Sequence, residues 1–168
     1  VTHYCEAETV QEAVDILAQK PDLRIIAGGT DLLIHMRSGK IEETGLLSIR
    51  KIRELQKVEI CEDGTISIGA LVTFSQLALD SIINKKIPVL TEAANSMGGP
   101  QIRNVATIGG NICNGATSAD SASTLLALNA LLKIKSKHGE RVVPLADFYL
   151  GPGKVDLKPD EMLTHITI

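Results

Sequence analysis

The chain has 168 residues, 44% hydrophobic and 22% charged, a balance that suits one ordinary domain or two small lobes sharing a core and excludes a disordered or membrane-spanning chain. The net charge is −3 with both signs interspersed, and two Tyr, two Phe and no Trp offer neither the cationic stripe nor the stacking platforms of a nucleic-acid surface. Cys5, Cys61 and Cys113 form no C-x-x-C pair, so they read as reduced thiols of a cytoplasmic protein, and the chain alone builds no zinc or iron–sulfur site.

In chain order, the first element is a helix opened by Thr9, with Glu12 three residues on completing a capping box and Val10, Ala13, Val14 and Leu17 at helical spacing. Pro21 ends it. Residues 23–27 read as a strand that Gly28-Gly29 interrupts, and Thr30 or Asp31 starts a short helix through Met36. A second strand spans 45–49, and helix–strand–loop–helix–strand predicts a compact α/β lobe with parallel strands.

Past Ile52 the pattern changes. Residues 55–60 and 65–68 flank a Glu62-Asp63-Gly64 turn and read as a hairpin. Helices follow at 73–79, capped by Thr73, and at 88–97. A long loop separates the latter from a helix at 119–130. A second hairpin pairs 131–136 with 141–144, and residues 161–168 alternate as a final strand. The division is therefore a small α/β unit over 1–53 and a larger, mostly antiparallel α+β unit over 54–168. The first residues lack the layout of a secretory signal. The chain ends on a strand with no return element, which reads as a piece of something longer.

Two glycine segments carry the chemistry. Ile25-Ile26-Ala27-Gly28-Gly29-Thr30-Asp31-Leu32 links a strand to a helix, where free N–H groups suit a diphosphate. It matches neither common phosphate motif, and a tight turn with Thr30 as N-cap is the competing account. The second segment is Pro100-Gln101-Ile102-Arg103-Asn104-Val105-Ala106-Thr107-Ile108-Gly109-Gly110-Asn111-Ile112-Cys113-Asn114-Gly115. It reads as a loop too poor in large apolar side chains to be buried. Its glycines admit a ligand close to the main chain, with Thr107 and Asn111 supplying a hydroxyl and an amide. A β-bulge or structural loop is the alternative. Cys113 reads as a polarisable ligand contact, and Asp120 as either a first-turn residue or an acceptor for a ligand hydroxyl. His3, His35, His138 and His165 lie apart, and no nucleophile–base pair stands out, so redox chemistry here requires a bound cofactor.

Ala27 to Leu32 and Gln101 to Ile112 resemble the two FAD-binding signatures of the molybdenum hydroxylase flavoprotein subunits. The continuation Cys113 to Ala122 and Gly151-Pro152-Gly153-Lys154-Val155 resembles the bacterial xanthine dehydrogenase branch most. The resemblance implies an FAD-binding PCMH-type fold, vanillyl-alcohol-oxidase-like, with two subdomains. It also implies that Ile25 to Leu32 wrap the FAD diphosphate, that Ala106, Thr107, Gly109, Gly110 and Asn111 hold it from the other side, and that Cys113, Asp120 and Leu163 contact the cofactor. The implied partners are a molybdopterin-binding large subunit and a small subunit with [2Fe–2S] clusters, electrons leaving through FAD to NAD. Family members carry a further C-terminal domain that adds a basic contact to the flavin. The alternatives are a subunit-docking module without redox activity, the flavoprotein of another heterocycle or carbon monoxide dehydrogenase, and a stand-alone nucleotide-binding domain.

Overall fold

The computed structural model describes residues 1–42, 44–116, 119 and 121–168. Two sheets organise them. The first is three-stranded and parallel, in the order β1 (Tyr4–Glu6), β3 (Leu46–Ser48), β2 (Arg24–Ile26). Helix α1 (Val10–Gln19) buries Val10, Ala13, Val14 and Leu17, the apolar stripe read from the sequence. Its capping differs by one residue from the expected box. The Thr9 side chain accepts from the Glu12 N–H at 3.1 Å, but the Glu12 carboxylate accepts from Glu8 rather than from Thr9, at 2.8 Å. Helix α2 (Leu32–Arg37) follows β2 and buries no side chain.

The second sheet is five-stranded and antiparallel, in the order β4 (Val58–Ile60), β5 (Ile66–Gly69), β10 (Met162–Thr167), β6 (Leu131–Ser136), β7 (Gly139–Pro144). The first hairpin begins later than expected because Arg53–Gln56 form a 3-10 turn, which crosses β5 at Gly69; a Cβ there would meet the Leu55 carbonyl. Helices α3 (Phe74–Leu79), α4 (Ser81–Lys86) and α5 (Pro88–Ser96) cover this sheet. Thr73 and Gln76 form the complete capping box of α3. Then come α6 (Pro100–Arg103), α7 (Ile108–Cys113), α8 (Ala122–Ala127) and, beyond β7, α9 (Leu145–Phe148) with the small ribbon β8 (Tyr149–Gly151) and β9 (Lys154–Val155).

The 100–115 run is therefore not the exposed loop its composition suggested. Ile108 and Ile112, one helical turn apart on α7, are fully buried, and Gly109 is buried beside them. Tertiary packing outweighs the poor helix propensity of two adjacent glycines.

There are two hydrophobic cores. Val14, Leu17, Leu47 and Ile52 centre one; Phe74, Leu90, Ile112 and Phe148 centre the other. The β10 strand joins them. Met162 packs into the first core, Leu163 and Ile166 into the second, and a register shift lies between Leu163 and His165.

Candidate functional site

Between the two cores lies a cleft of about 600 Å³. Ile25, Ile26, Ala27, Gly28, Gly29, Thr30, Asp31 and Leu32 line one side, and Ala106, Thr107, Gly109, Gly110, Asn111, Cys113 and Leu163 line the other. The topology thus brings to one surface segments far apart in sequence. Asp120 lies outside the described residues.

The first glycine segment is held open by its own geometry. Gly29 has φ +76°, a left-handed conformation that glycine takes without strain. A Cβ on Gly28 would run into the Val105 carbonyl, so this glycine lets the loop touch the second lobe. Neither Thr30 nor Asp31 caps α2 with its side chain. Instead the Asp31 carboxylate accepts from the Asn114 amide across the cleft at 3.2 Å. The backbone N–H groups of Gly28, Gly29, Thr30, Asp31 and Leu32 have no acceptor among the described residues. Five successive donors without protein acceptors are a chemistry suited to an anion, because each N–H retains its full hydrogen-bonding demand.

The second segment has no such surplus. Ile108 donates to the Val72 carbonyl, Gly109 to that of Ala70, Gly110 to the Thr107 hydroxyl and Asn111 to the Thr107 carbonyl, all at 3.0–3.1 Å. What this side offers is side chains and an absent one. The Ser121 hydroxyl donates to the Asn111 side-chain Oδ1 at 2.7 Å, which leaves the Asn111 NH2 to donate elsewhere. Gly110 is exposed in the cleft, and a Cβ there would meet only the Thr107 hydroxyl, at 2.9 Å. Gly109 serves packing instead: its Cβ would lie 2.6 Å from Ala70 Cβ and 2.7 Å from the Ala70 carbonyl oxygen.

Cys113 contributes bulk rather than reactivity. Burial pushes its thiol up to about 12, so it stays neutral and non-nucleophilic at ordinary pH. Among the described residues two carboxylates line the cleft, and both are hydrogen-bonded within the protein, Asp31 to Asn114 and Glu161 to Arg141. The sequence reading missed Met97, Gly98 and the 157–162 segment, which also line the cleft. Ile102, another lining residue, lay within the quoted run, but nothing in the spacing of Leu157 to Met162 marks it as a wall. A smaller hollow of about 410 Å³ shares Ala27, Gly28, Leu71 and Thr107 with the cleft, and Arg50, Gln56 and Asn104 are among its other lining residues.

No helix among the described residues is long and apolar enough to cross a membrane. Among them no three His, Cys, Asp or Glu side chains cluster as metal ligands.

Residues 1–168 match the family model described as the FAD binding domain in molybdopterin dehydrogenase. The chain is 48% identical over 160 residues to the xanthine dehydrogenase FAD-binding subunit of Escherichia coli O157:H7, covering 95% of this chain and 55% of that protein. It is 37% identical over 166 residues to the nicotinate dehydrogenase FAD-subunit of Eubacterium barkeri, covering 96% and 56%. Among solved structures, quinoline 2-oxidoreductase from Pseudomonas putida 86 superposes with a TM-score of 0.96 at 30% identity, over all of this chain and 59% of its own. The chain spans little more than half the length of these relatives. Its two-sheet architecture is that of the FAD-binding PCMH-type fold. The chain belongs to the family of FAD-binding domains of molybdopterin dehydrogenases.

Proposed function

We propose that the cleft holds FAD with its diphosphate against the amides of Gly28 to Leu32, and that the chain serves as the electron-transfer flavoprotein part of a xanthine dehydrogenase-like enzyme. The observation that carries this reading is the run of five backbone donors without acceptors among the described residues, on a cleft where the described carboxylates, Asp31 and Glu161, each accept a hydrogen bond from the protein. Such a lining favours an oxyanion ligand over a cation. The residues present fit the cofactor. Gly110 leaves the opposite wall without a Cβ, the Asn111 NH2 is available to a diphosphate or sugar oxygen, and Cys113 and Leu163 give an apolar stretch that excludes water.

FAD, when bound, supplies the one- and two-electron chemistry that no side chain of this cleft can supply. The chain's own task is placement. The Gly28–Val105 contact sets the distance between the walls, the Asp31–Asn114 hydrogen bond ties them together, and the neutral Cys113 thiol adds no competing nucleophile. In this reading the partners are a molybdopterin-binding large subunit and a [2Fe–2S] small subunit, the electron acceptor is NAD, and the assembly works in the cytoplasm. The 48% identity to a xanthine dehydrogenase subunit supports this branch over the nicotinate one, at 37%.

The test is the visible spectrum of the purified chain after incubation with excess FAD and removal of free flavin. Retained flavin bands are expected. A colourless chain, both alone and with its partner subunits, contradicts the assignment and leaves a docking module of the same fold.

A further inference from the structure

Arg141 sits on the edge strand β7 and does not line the cleft. Its guanidinium nevertheless ends on the segment that does. The Arg141 Nε donates to Glu161 Oε1 at 2.9 Å and Nη2 to Glu161 Oε2 at 2.8 Å, a bidentate pair. Nη1 donates to the Asp156 carboxylate at 2.7 Å, and Nη2 also donates to the Asp156 carbonyl at 2.7 Å. The Lys158 N–H closes the arrangement by donating to Glu161 Oε2 at 2.9 Å. Five hydrogen bonds thus converge within residues 156–161, and Glu161 is 6% exposed. Burial pushes the Glu161 carboxyl up, but the hydrogen bonds from Arg141 and Lys158 outweigh it and hold the group below the usual carboxylate range.

This segment has no helix or strand of its own between β9 and β10; besides Arg141, the Asp156 N–H donates to the Phe148 carbonyl of α9 at 2.8 Å and Leu157 packs against the larger core. Its Leu157, Lys158 and Pro159 line the cleft, and it leads directly into Met162 and Leu163, which do the same. Bidentate guanidinium–carboxylate pairs fix direction as well as distance, a property a single ammonium contact lacks.

We propose that Arg141 is a positioning residue for cofactor binding, acting through Asp156 and Glu161 to hold the Leu157–Leu163 wall against the bound flavin nucleotide. This rests on the reading of the cleft as the FAD site. Removing the guanidinium unpins the wall without removing any group that touches the ligand. Arg141 belongs to neither core.

The test compares Arg141→Met, Arg141→Lys and Asp156→Asn with the unaltered full chain, reading FAD affinity by flavin fluorescence and backbone protection by hydrogen exchange without FAD. Arg141→Met is expected to weaken FAD binding at least tenfold and to raise exchange selectively over residues 156–163. Arg141→Lys recovers part of the affinity, and Asp156→Asn loses less than Arg141→Met. Unchanged affinity in Arg141→Met, or exchange that stays unchanged or rises uniformly over both lobes, overturns the positioning role. If the unaltered chain binds no FAD, alone or with its partner subunits, the cofactor reading itself fails, while the exchange pattern still decides whether Arg141 holds the wall.

Discussion

The two glycine segments look alike in sequence and work in opposite ways. In residues 28–32 five backbone N–H donors are left without partners among the described residues, and these are the groups proposed to hold the ligand. In residues 107–113 the backbone is spent on the fold, and what faces the cleft is an amide side chain and a missing Cβ. The lesson is that a glycine pair marks close approach but not which neighbour approaches. Gly109 admits the protein's own Ala70, whereas Gly110, the next residue, faces the cleft.

That difference can be broken residue by residue. Gly109→Val forces a branched Cβ onto the Ala70 backbone, 2.6–2.7 Å from the ideal Cβ position, and overpacking of this kind costs about 3 kcal/mol. Urea unfolding should show that loss, with flavin binding falling as a consequence. Gly110→Val should do the reverse. It blocks the cleft and lowers FAD affinity ~100-fold, about 2.7 kcal/mol, while the unfolding loss stays at the ~1 kcal/mol of a displaced Thr107 cap. If the two variants behave alike, the separation of packing glycine from cleft glycine is wrong. The smallest effect is expected from Thr107→Ala, which removes the hydroxyl that accepts from Gly110 at the start of α7. Loss of such a cap costs about 1 kcal/mol in unfolding free energy and leaves FAD affinity within a few-fold. A hundredfold loss of FAD affinity in this variant would mean the hydroxyl is a direct ligand contact.

Much of the frame is legible in the sequence, for a physical reason. The α1 stripe, the parallel strands of the first sheet, the capped α3 and the hairpin of β6 and β7 all follow from local periodicity and turn chemistry, and the structure has each of them. The α7 helix is not legible in that way. Its propensity is poor, and only the i,i+4 spacing of Ile108 and Ile112 hints at the buried face that stabilises it. Short elements such as β1, α4 and the β8–β9 ribbon escape as well, because two to six residues carry too little pattern to distinguish them from loop. In the site, the glycine segments are visible as motifs. The wall at 157–162 is not, since it is shaped by an arginine about twenty residues upstream through contacts that leave no periodic trace.

The Asp31 result makes the same point at one residue. Sequence rules offer Thr30 or Asp31 as the N-cap of α2, yet the Asp31 carboxylate turns across the cleft to Asn114. A local cap has been exchanged for a long-range tie.

The most direct test of the central claim, that backbone donors in residues 28–32 grip a diphosphate, is to compare the affinities of FAD and riboflavin for the same chain by calorimetry. The two share the isoalloxazine and differ in the diphosphate and adenosine. FAD is expected to bind at least ~100-fold more tightly, with pyrophosphate competing against it, because charge-assisted hydrogen bonds to several amides supply that margin. Equal affinities, with no competition from pyrophosphate, would place the binding energy on the flavin ring and contradict the role assigned to the loop.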